Sequence, residues 1–294
     1  MPEPNRLAAP MLIVGCVIFG LGSLIVKFVP VGAFAMAFWR LCVAAVIFWL
    51  LSRFFGQKLP HNKKALLFAC LSGAFLGIDL GLWHESIYAV GPGISTLLNS
   101  LQIFFLTAAG FFFFGERPSK LQLFSLLMAI FGIMLIASPE FNHNTQAGWG
   151  FASGIVSGSM LALSMIFVRK THQVQAVSLL PMMLMVSLGG MAVLWLPAFL
   201  FNGDALYPTT FHDAALILIY GAVMQCFAWG LIAYAIPLLS LSVTGLLLLS
   251  EPVAALLIDY FLLDKPINGW QWCGVALTLS AIYLGSLRPQ KHHA

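Results

Sequence analysis

Three ionisable residues lie close together in an otherwise apolar part of the chain, GIDLGLWHESIYAVGPG at residues 77–93. They are Asp79, His84 and Glu85. Carboxylates and an imidazole can bind cations, relay protons or hold polar ligands, and each costs a few kcal/mol to insert into a membrane. The stretch is therefore either a short soluble loop between apolar helices or a polar site buried within a membrane.

The composition decides between these two interpretations. Hydrophobic residues make up 61% of the 294 positions and charged residues only 8%. Soluble domains carry roughly 25% charged residues, and a water-soluble fold of this length could not cover its surface with so few charges. The net charge of +4 is too small to indicate nucleic acid binding. We expect a membrane protein whose partners include the lipid bilayer but no nucleic acid.

Ten apolar runs are long enough to cross a bilayer, which takes roughly 20 mostly apolar residues. The sequence therefore predicts an all-α polytopic membrane protein with ten transmembrane helices. The predicted spans are 8–28, 33–54, 65–89, 93–114, 119–138, 147–169, 177–201, 212–236, 240–262 and 268–287.

Basic residues indicate how these spans are oriented, because Lys and Arg concentrate on the cytoplasmic side of a membrane. With the N-terminus inside, eleven basic residues fall on the inner side and two, Lys27 and Lys265, on the outer side. We therefore expect both termini in the cytoplasm.

The chain also carries an internal repeat. WHESIYAV (83–90) ends the third predicted span and WGLIAYAI (229–236) ends the eighth, and both contain the pattern W-x4-Y-A. Four residues before each tryptophan is a polar residue, Asp79 in one half and Gln225 in the other. The following spans and the loops GERPSKLQ and LDKPINGWQ also correspond, at a shift of 146 to 149 residues.

Each half contains five spans, and an odd number inverts the second half relative to the first. We predict one five-helix repeat at residues 1–140 and a second, inverted one at residues 145–294. Inverted repeats of this kind place a substrate site near the middle of the membrane, at the interface between the halves.

Several motifs resemble those of the EamA-type exporters of the drug/metabolite transporter (DMT) superfamily. The resemblance covers nearly the whole chain and rests on VIFGLGSLIVKF, FWRLCVAA, YAVGPGISTLL and GERPSKLQ. The chain is most similar to the bacterial aromatic amino acid exporters of the YddG type. The resemblance implies export of amino acids by alternating access, through a central cavity lined mainly by helices 1, 3, 4, 6, 8 and 9. It also implies the bacterial inner membrane; we expect a monomer with no cofactor and no metal.

Helical geometry separates the three residues of the opening stretch. At about 100° per residue, Asp79, His84 and Glu85 point in three directions and cannot line one pocket. Asp79 shares a face with Trp83, and His84 shares one with Tyr88. These four residues are candidates for the lining of a substrate site, with ordinary packing or anchoring at the membrane surface as the alternative.

Further candidates lie in predicted spans 4, 6, 8 and 9. Glu251 is interpreted either as a protonated packing residue or as a contact for substrate or proton, since Pro252 leaves a backbone carbonyl free beside it. The complete set of candidate substrate-binding residues is Asp79, Trp83, His84, Tyr88, Asn99, Gln102, Ser157, Ser164, Trp229, Ser250 and Glu251.

A second group of candidates is charged and lies in the outer half of the predicted spans. Glu85 continues the row Gly73, Gly77 and Gly81, whose small residues favour close contact with a neighbouring helix. The charges of the group sum to zero, and we interpret its members as a network that closes an outer gate. They are Lys27, Arg40, Glu85 and Asp259.

Competing functions differ in the groups that they require. Cationic drug efflux is the nearest alternative, because Asp79 or Glu251 beside an aromatic residue could hold a cation. Phosphorylated sugars are disfavoured, since no Lys or Arg lies between Lys170 and Lys265 to bind phosphate. A channel or an intramembrane enzyme is a remote alternative. We expect no catalysis, because the sequence contains neither G-x-S-x-G nor H-E-x-x-H.

Overall fold

The computed structural model describes residues 7–137, 146–262 and 268–286, and within these ranges the chain is helical and contains no strand. A π-helical segment, Tyr220–Ala228, joins α10 to α11. The helices are α1 (Ala8–Gly20), α2 (Gly22–Phe28), α3 (Ala33–Phe54), α4 (Lys63–Val90), α5 (Pro92–Asn99), α6 (Gln102–Phe114), α7 (Lys120–Ala137), α8 (Ala147–Val174), α9 (Leu179–Asn202), α10 (Phe211–Ile219), α11 (Trp229–Ala235), α12 (Leu241–Leu248), α13 (Ser250–Leu262) and α14 (Gly269–Ser286).

Seven helical segments among the described residues are long enough and apolar enough to cross a membrane. Two further apolar helical segments, Lys120–Leu135 and Leu241–Ala255, are shorter. The predicted span 33–54 coincides with α3, and most of the described residues in the other predicted spans are also helical. The all-α polytopic fold is confirmed, whereas the number of ten crossings stays a prediction.

Helix α4 lies at the centre of the packing, in contact with α3, α5, α8 and α9. Its contact with α9 depends on glycine. Gly73 lies against the backbone of Val186, and a Cβ on Gly77 would be 2.8 Å from the carbonyl oxygen of Gly190. The row of small residues therefore allows two helix backbones to touch, as its spacing predicted.

Helix contacts in the first half of the chain have counterparts in the second. α4 packs against α8 and α9, and the π-helical segment with α11 packs against α1 and α3. α7 packs against α14, the last helix of the other predicted half. Two related halves placed against each other produce this pattern. The boundaries 1–140 and 145–294 and the inversion of the second half stay predictions.

Helices are interrupted at corresponding positions in the two halves. α5 and α6 are separated at Ser100 and Leu101, and α12 and α13 at Leu249, where the amide donates to Leu246 at 3.2 Å in a tightened turn. A third interruption, at Leu21, separates α1 from α2. Backbone groups released in this way are tolerated at membrane depth only inside protein or beside a water-filled cavity. The interruptions therefore indicate where polar chemistry can take place.

Replacing Gly73 with alanine should lower the free energy of unfolding by about 1–3 kcal/mol, because the added Cβ would overlap the backbone of Val186 and push α4 away from α9. Gly148→Ala on α8 is the matched control, since its Cβ would meet no other atom and alanine favours helix. Thermal denaturation of both purified variants in detergent measures the difference. Equal melting temperatures would contradict the close contact.

Candidate functional site

A chain of buried hydrogen bonds joins α3, α4 and the π-helical segment. Nη1 of Arg40 donates to the hydroxyl of Tyr220 at 2.6 Å, and this hydroxyl lies 2.9 Å from Nε2 of His84. Nδ1 of His84 lies 3.0 Å from the carbonyl oxygen of Ala33, which can only accept. Both ring nitrogens of His84 and the hydroxyl of Tyr220 are paired when His84 carries its proton on Nδ1 and Tyr220 donates to Nε2. The chain of bonds then runs from Arg40 to the first residue of α3.

The guanidinium of Arg40 is enclosed by neutral partners. Its Nε donates to Oε1 of Gln225 at 2.8 Å, and its Cζ lies 4.5 Å from the ring centres of both Phe19 and Tyr220. The side chain is fully buried. Among the described residues no carboxylate forms an ion pair with it. Aromatic faces and neutral acceptors therefore stabilise this charge.

Tyr220 and Gln225 both contact Arg40 because they lie in the π-helical segment. In an α-helix, residues five apart point about 140° away from each other. A π-helix instead bonds each residue to the fifth along the chain, so such residues lie one turn apart. Gly22 leaves room for this arrangement, since a Cβ there would lie 2.9 Å from the Tyr220 ring.

The two tryptophans of the repeated motif meet at one aromatic ring. Phe19 lies between Trp83 and Trp229, with ring centres 6.1 Å and 6.0 Å away. Both indoles are buried, and neither Nε1 has an acceptor among the described residues. The repeat thus brings one tryptophan from each half of the chain to the same aromatic cluster.

Asp79 belongs to a second polar cluster, which joins α4, α5 and α8. Its Oδ1 accepts from Nδ2 of Asn99 at 2.8 Å and from the hydroxyl of Ser157 at 2.7 Å. Gly158 allows α8 to approach α5 here, since a Cβ would lie 2.5 Å from the carbonyl oxygen of Asn99. The structure therefore brings together three of the residues that the sequence singled out.

Glu251 is buried close to both clusters. It packs against Gly20, where a Cβ would lie 3.8 Å from Cγ of Glu251. Its carboxylate makes no hydrogen bond within the described part of the chain. Arg40, Asp79 and Glu251 are thus all buried, and no ion pair joins any two of them. We call the following residues the central site: Phe19, Arg40, Asp79, Trp83, His84, Asn99, Ser157, Tyr220, Gln225, Trp229 and Glu251.

The remaining predicted binding residues make no hydrogen bond to the central site within the described part of the chain. The hydroxyl of Ser164 lies 3.1 Å from that of Ser72, and the hydroxyl of Ser250 donates to a carbonyl at the end of α12 at 2.7 Å. Gln102 is buried at the start of α6 with Oε1 unpaired among the described residues. Tyr88 is 44% exposed and donates to the turn before α3. A role in substrate binding stays a prediction for the whole predicted set.

Of the four charged residues of the predicted gate, Lys27, Arg40 and Glu85 have side chains that the structure describes, and no ion pair joins any two of these three. Lys27 is exposed at the end of α2, and Glu85 accepts a hydrogen bond from Nε1 of Trp149 at 3.2 Å. The side chain of Asp259 lies outside the described residues. Arg40 lies in the central site, and a gate formed by these four residues stays a prediction. Asp79, His84 and Glu85 do have three separate sets of partners, as the helical angles predicted.

The sequence reasoning did not select Phe19, Tyr220 or Gln225 as site residues. Phe19 directly precedes the interruption between α1 and α2, and the pair Gly20 and Gly22 around Leu21 was a signal for close contacts there. Gln225 was noticed only as the counterpart of Asp79. The sequence offered no signal for the π-helical turn that brings Tyr220 next to it.

A further polar contact joins the end of α6, the last turns of α8 and the start of α12. The carboxylate of Glu116 pairs with Nη1 of Arg169 and accepts from the amide of Leu241 at 3.0 Å and 3.1 Å. Leu241 begins α12, so Glu116 satisfies an N–H group that has no partner within the helix. Gly115, with φ of 64°, ends α6 just before this contact. The contact lies on the side predicted to be cytoplasmic.

The EamA-like transporter family matches the chain twice, over residues 6–138 and 148–287. The chain belongs to this family. It is therefore a transporter of the DMT superfamily, as the sequence motifs predicted.

Individual relatives of this EamA-like protein are distant. It is 25% identical to the uncharacterized transporter YetK of Bacillus subtilis (strain 168), over 98% of this chain and 88% of that one. It is 24% identical to the "Probable amino-acid metabolite efflux pump" of Escherichia coli (strain K12), over 77% of each chain. The chain also superposes on the crystal structure of another protein with a TM-score of 0.74 and 14% sequence identity. The superposition covers 96% of each chain and shows a shared fold.

Replacing Tyr220 with phenylalanine should lower the free energy of unfolding by about 1–3 kcal/mol, because Arg40 and His84 each lose a buried hydrogen-bond partner. Tyr207→Phe is the control, since Tyr207 is 62% exposed. Thermal denaturation in detergent compares the two. If both variants are equally stable, the hydrogen-bond chain does not form.

Glu116→Gln should also destabilise the protein, by about 1–3 kcal/mol, because a charge-assisted contact is lost. Arg117→Gln, at the exposed neighbouring position, should have little effect. The double variant with Arg169→Gln should lose less stability than the sum of the two single losses, since the two side chains share one interaction. Strictly additive losses of stability would show that Glu116 and Arg169 act independently.

Proposed function

We propose that this EamA-like protein is a secondary transporter that exports small amphipathic solutes, above all aromatic and other neutral amino acids, by alternating access. The observation that carries the proposal is the central site. There an arginine and two carboxyl groups lie among aromatic rings without ion pairs between them. An amino acid needs a partner for its carboxylate, a partner for its ammonium group and apolar walls for its side chain.

The position of the central site supports a transport mechanism. Phe19 and Glu251 lie two residues from the interruptions at Leu21 and Leu249, and both predicted halves contribute side chains. Secondary transporters bind substrates between interrupted helices at the interface of their repeats, and one half then moves against the other. In this proposal residues 1–140 and 145–294 are the two inverted halves, and the two family matches support that division.

The direction of transport and the location are further parts of the proposal. The Escherichia coli relative is named as an efflux pump for amino-acid metabolites, which supports export of this class of solute. The distribution of basic residues supports an orientation with both termini in the cytoplasm, and the two bacterial relatives support a location in a bacterial inner membrane.

Cationic drug efflux is the second candidate, since carboxyl groups beside tryptophan rings favour cations. The buried charge of Arg40 opposes this function. A ligand with only positive charge would meet the guanidinium in the same site, whereas a zwitterion offers it a carboxylate.

Counterflow in proteoliposomes tests the proposal. Vesicles loaded with unlabelled phenylalanine should accumulate labelled phenylalanine with saturable kinetics, and external tryptophan or leucine should compete. A cationic dye should compete weakly. Vesicles without protein are the control. A linear, unsaturable flux would indicate a channel instead, and inhibition by dyes but not by amino acids would indicate drug efflux. Repeating the assay with a pH gradient distinguishes proton coupling from facilitated transport.

A further inference from the structure

Two of the three guanidinium nitrogens of Arg40 have a hydrogen-bond acceptor, and the third has none among the described residues. Its Nε and Nη1 donate to Gln225 and Tyr220, and two aromatic rings lie against it. Its Nη2 is buried and has no acceptor among the described residues. Because arginine keeps its charge in proteins, a cationic donor is held in position for an acceptor that the described part of the chain does not supply.

A second unpaired donor lies next to the first. Since Nε of Arg40 can only donate, it determines that the amide oxygen of Gln225 faces the arginine. The amide nitrogen therefore points away from the shared bond. This Nε2 is buried and also has no acceptor among the described residues. A buried donor without an acceptor lowers the stability of the fold. Two such donors on adjacent side chains indicate a binding site for an acceptor.

A carboxylate is the acceptor that these donors fit. Its two oxygens can accept from Nη2 of Arg40 and Nε2 of Gln225 at the same time, in charge-assisted hydrogen bonds. A phosphate group would bring more negative charge than the single arginine of the central site can balance. Asp79 and Glu251, which are buried in the same site, offer no positive charge to balance the rest.

The same two carboxyl groups indicate what the rest of the ligand carries. Neither forms an ion pair with Arg40. Asp79 lies one helical turn before Trp83 on α4, and Glu251 packs against Gly20, the neighbour of Phe19. A ligand with an ammonium group close to its carboxylate complements both signs of charge. On the basis of the proposed amino acid transport, we propose that Nη2 of Arg40 and Nε2 of Gln225 bind the carboxylate of the zwitterionic substrate. The ammonium group faces Asp79 and Glu251.

Binding of a matched pair of ligands tests this assignment. Phenylalanine and its methyl ester share the ring and the ammonium group but differ in the carboxylate charge. Apparent dissociation constants come from the rise in melting temperature of the detergent-purified protein with ligand concentration. The unaltered protein should prefer the acid by about tenfold or more, the effect of a charge-assisted hydrogen bond.

Arg40→Gln and Gln225→Leu should each reduce the preference for the acid toward equal binding of acid and ester. Arg53→Gln, which removes an exposed charge from the same helix, should leave the preference unchanged. Gln225→Leu keeps Arg40 and decides the question if Arg40→Gln does not fold. A full preference for the acid in a folded variant at either position would overturn the assignment. If the unaltered protein binds neither ligand, the proposed transport of amino acids fails instead.

Discussion

The hydrogen bonds of the Tyr220 hydroxyl hold three helical elements together in a medium that offers no water. A polar group inside a bilayer must find its partner within the protein. Tyr220 accepts from Arg40 on α3 and donates to His84 on α4, and His84 in turn reaches the backbone at the start of α3. This hydroxyl, together with the amide oxygen of Gln225, fixes the position of Arg40 and with it the charge of the central site.

Two regions of the protein differ in how completely their buried polar groups are hydrogen-bonded. At the ends of α6 and α8, Glu116 has a cation and a helix N-terminus as partners, and its carboxylate is fully used. In the central site, Arg40, Gln225, Trp83 and Trp229 retain N–H groups without acceptors among the described residues. A satisfied contact stabilises one arrangement of helices. Unsatisfied donors beside interrupted helices suit a region that exchanges ligands.

Much of the fold followed from the sequence. Apolar runs predicted the helices, and the predicted ends of α3 agree with the structure to the residue. The spacing of Gly73 and Gly77 predicted a close helix contact, which α9 makes. The helical angles of Asp79, His84 and Glu85 separated their partners correctly. These properties depend on local geometry, which one chain segment determines by itself.

The sequence predicted only some of the residues of the central site. The sequence determined that Trp83 and Trp229 occupy equivalent positions and that Asp79 lies within a span, because periodicity and repetition are local properties. Tertiary structure decided that Phe19 lies between the tryptophans and that Arg40 bonds to Tyr220 and Gln225 in the interior. The π-helical turn explains the largest difference: it places Tyr220 and Gln225 on one face, whereas α-helical spacing would point them apart.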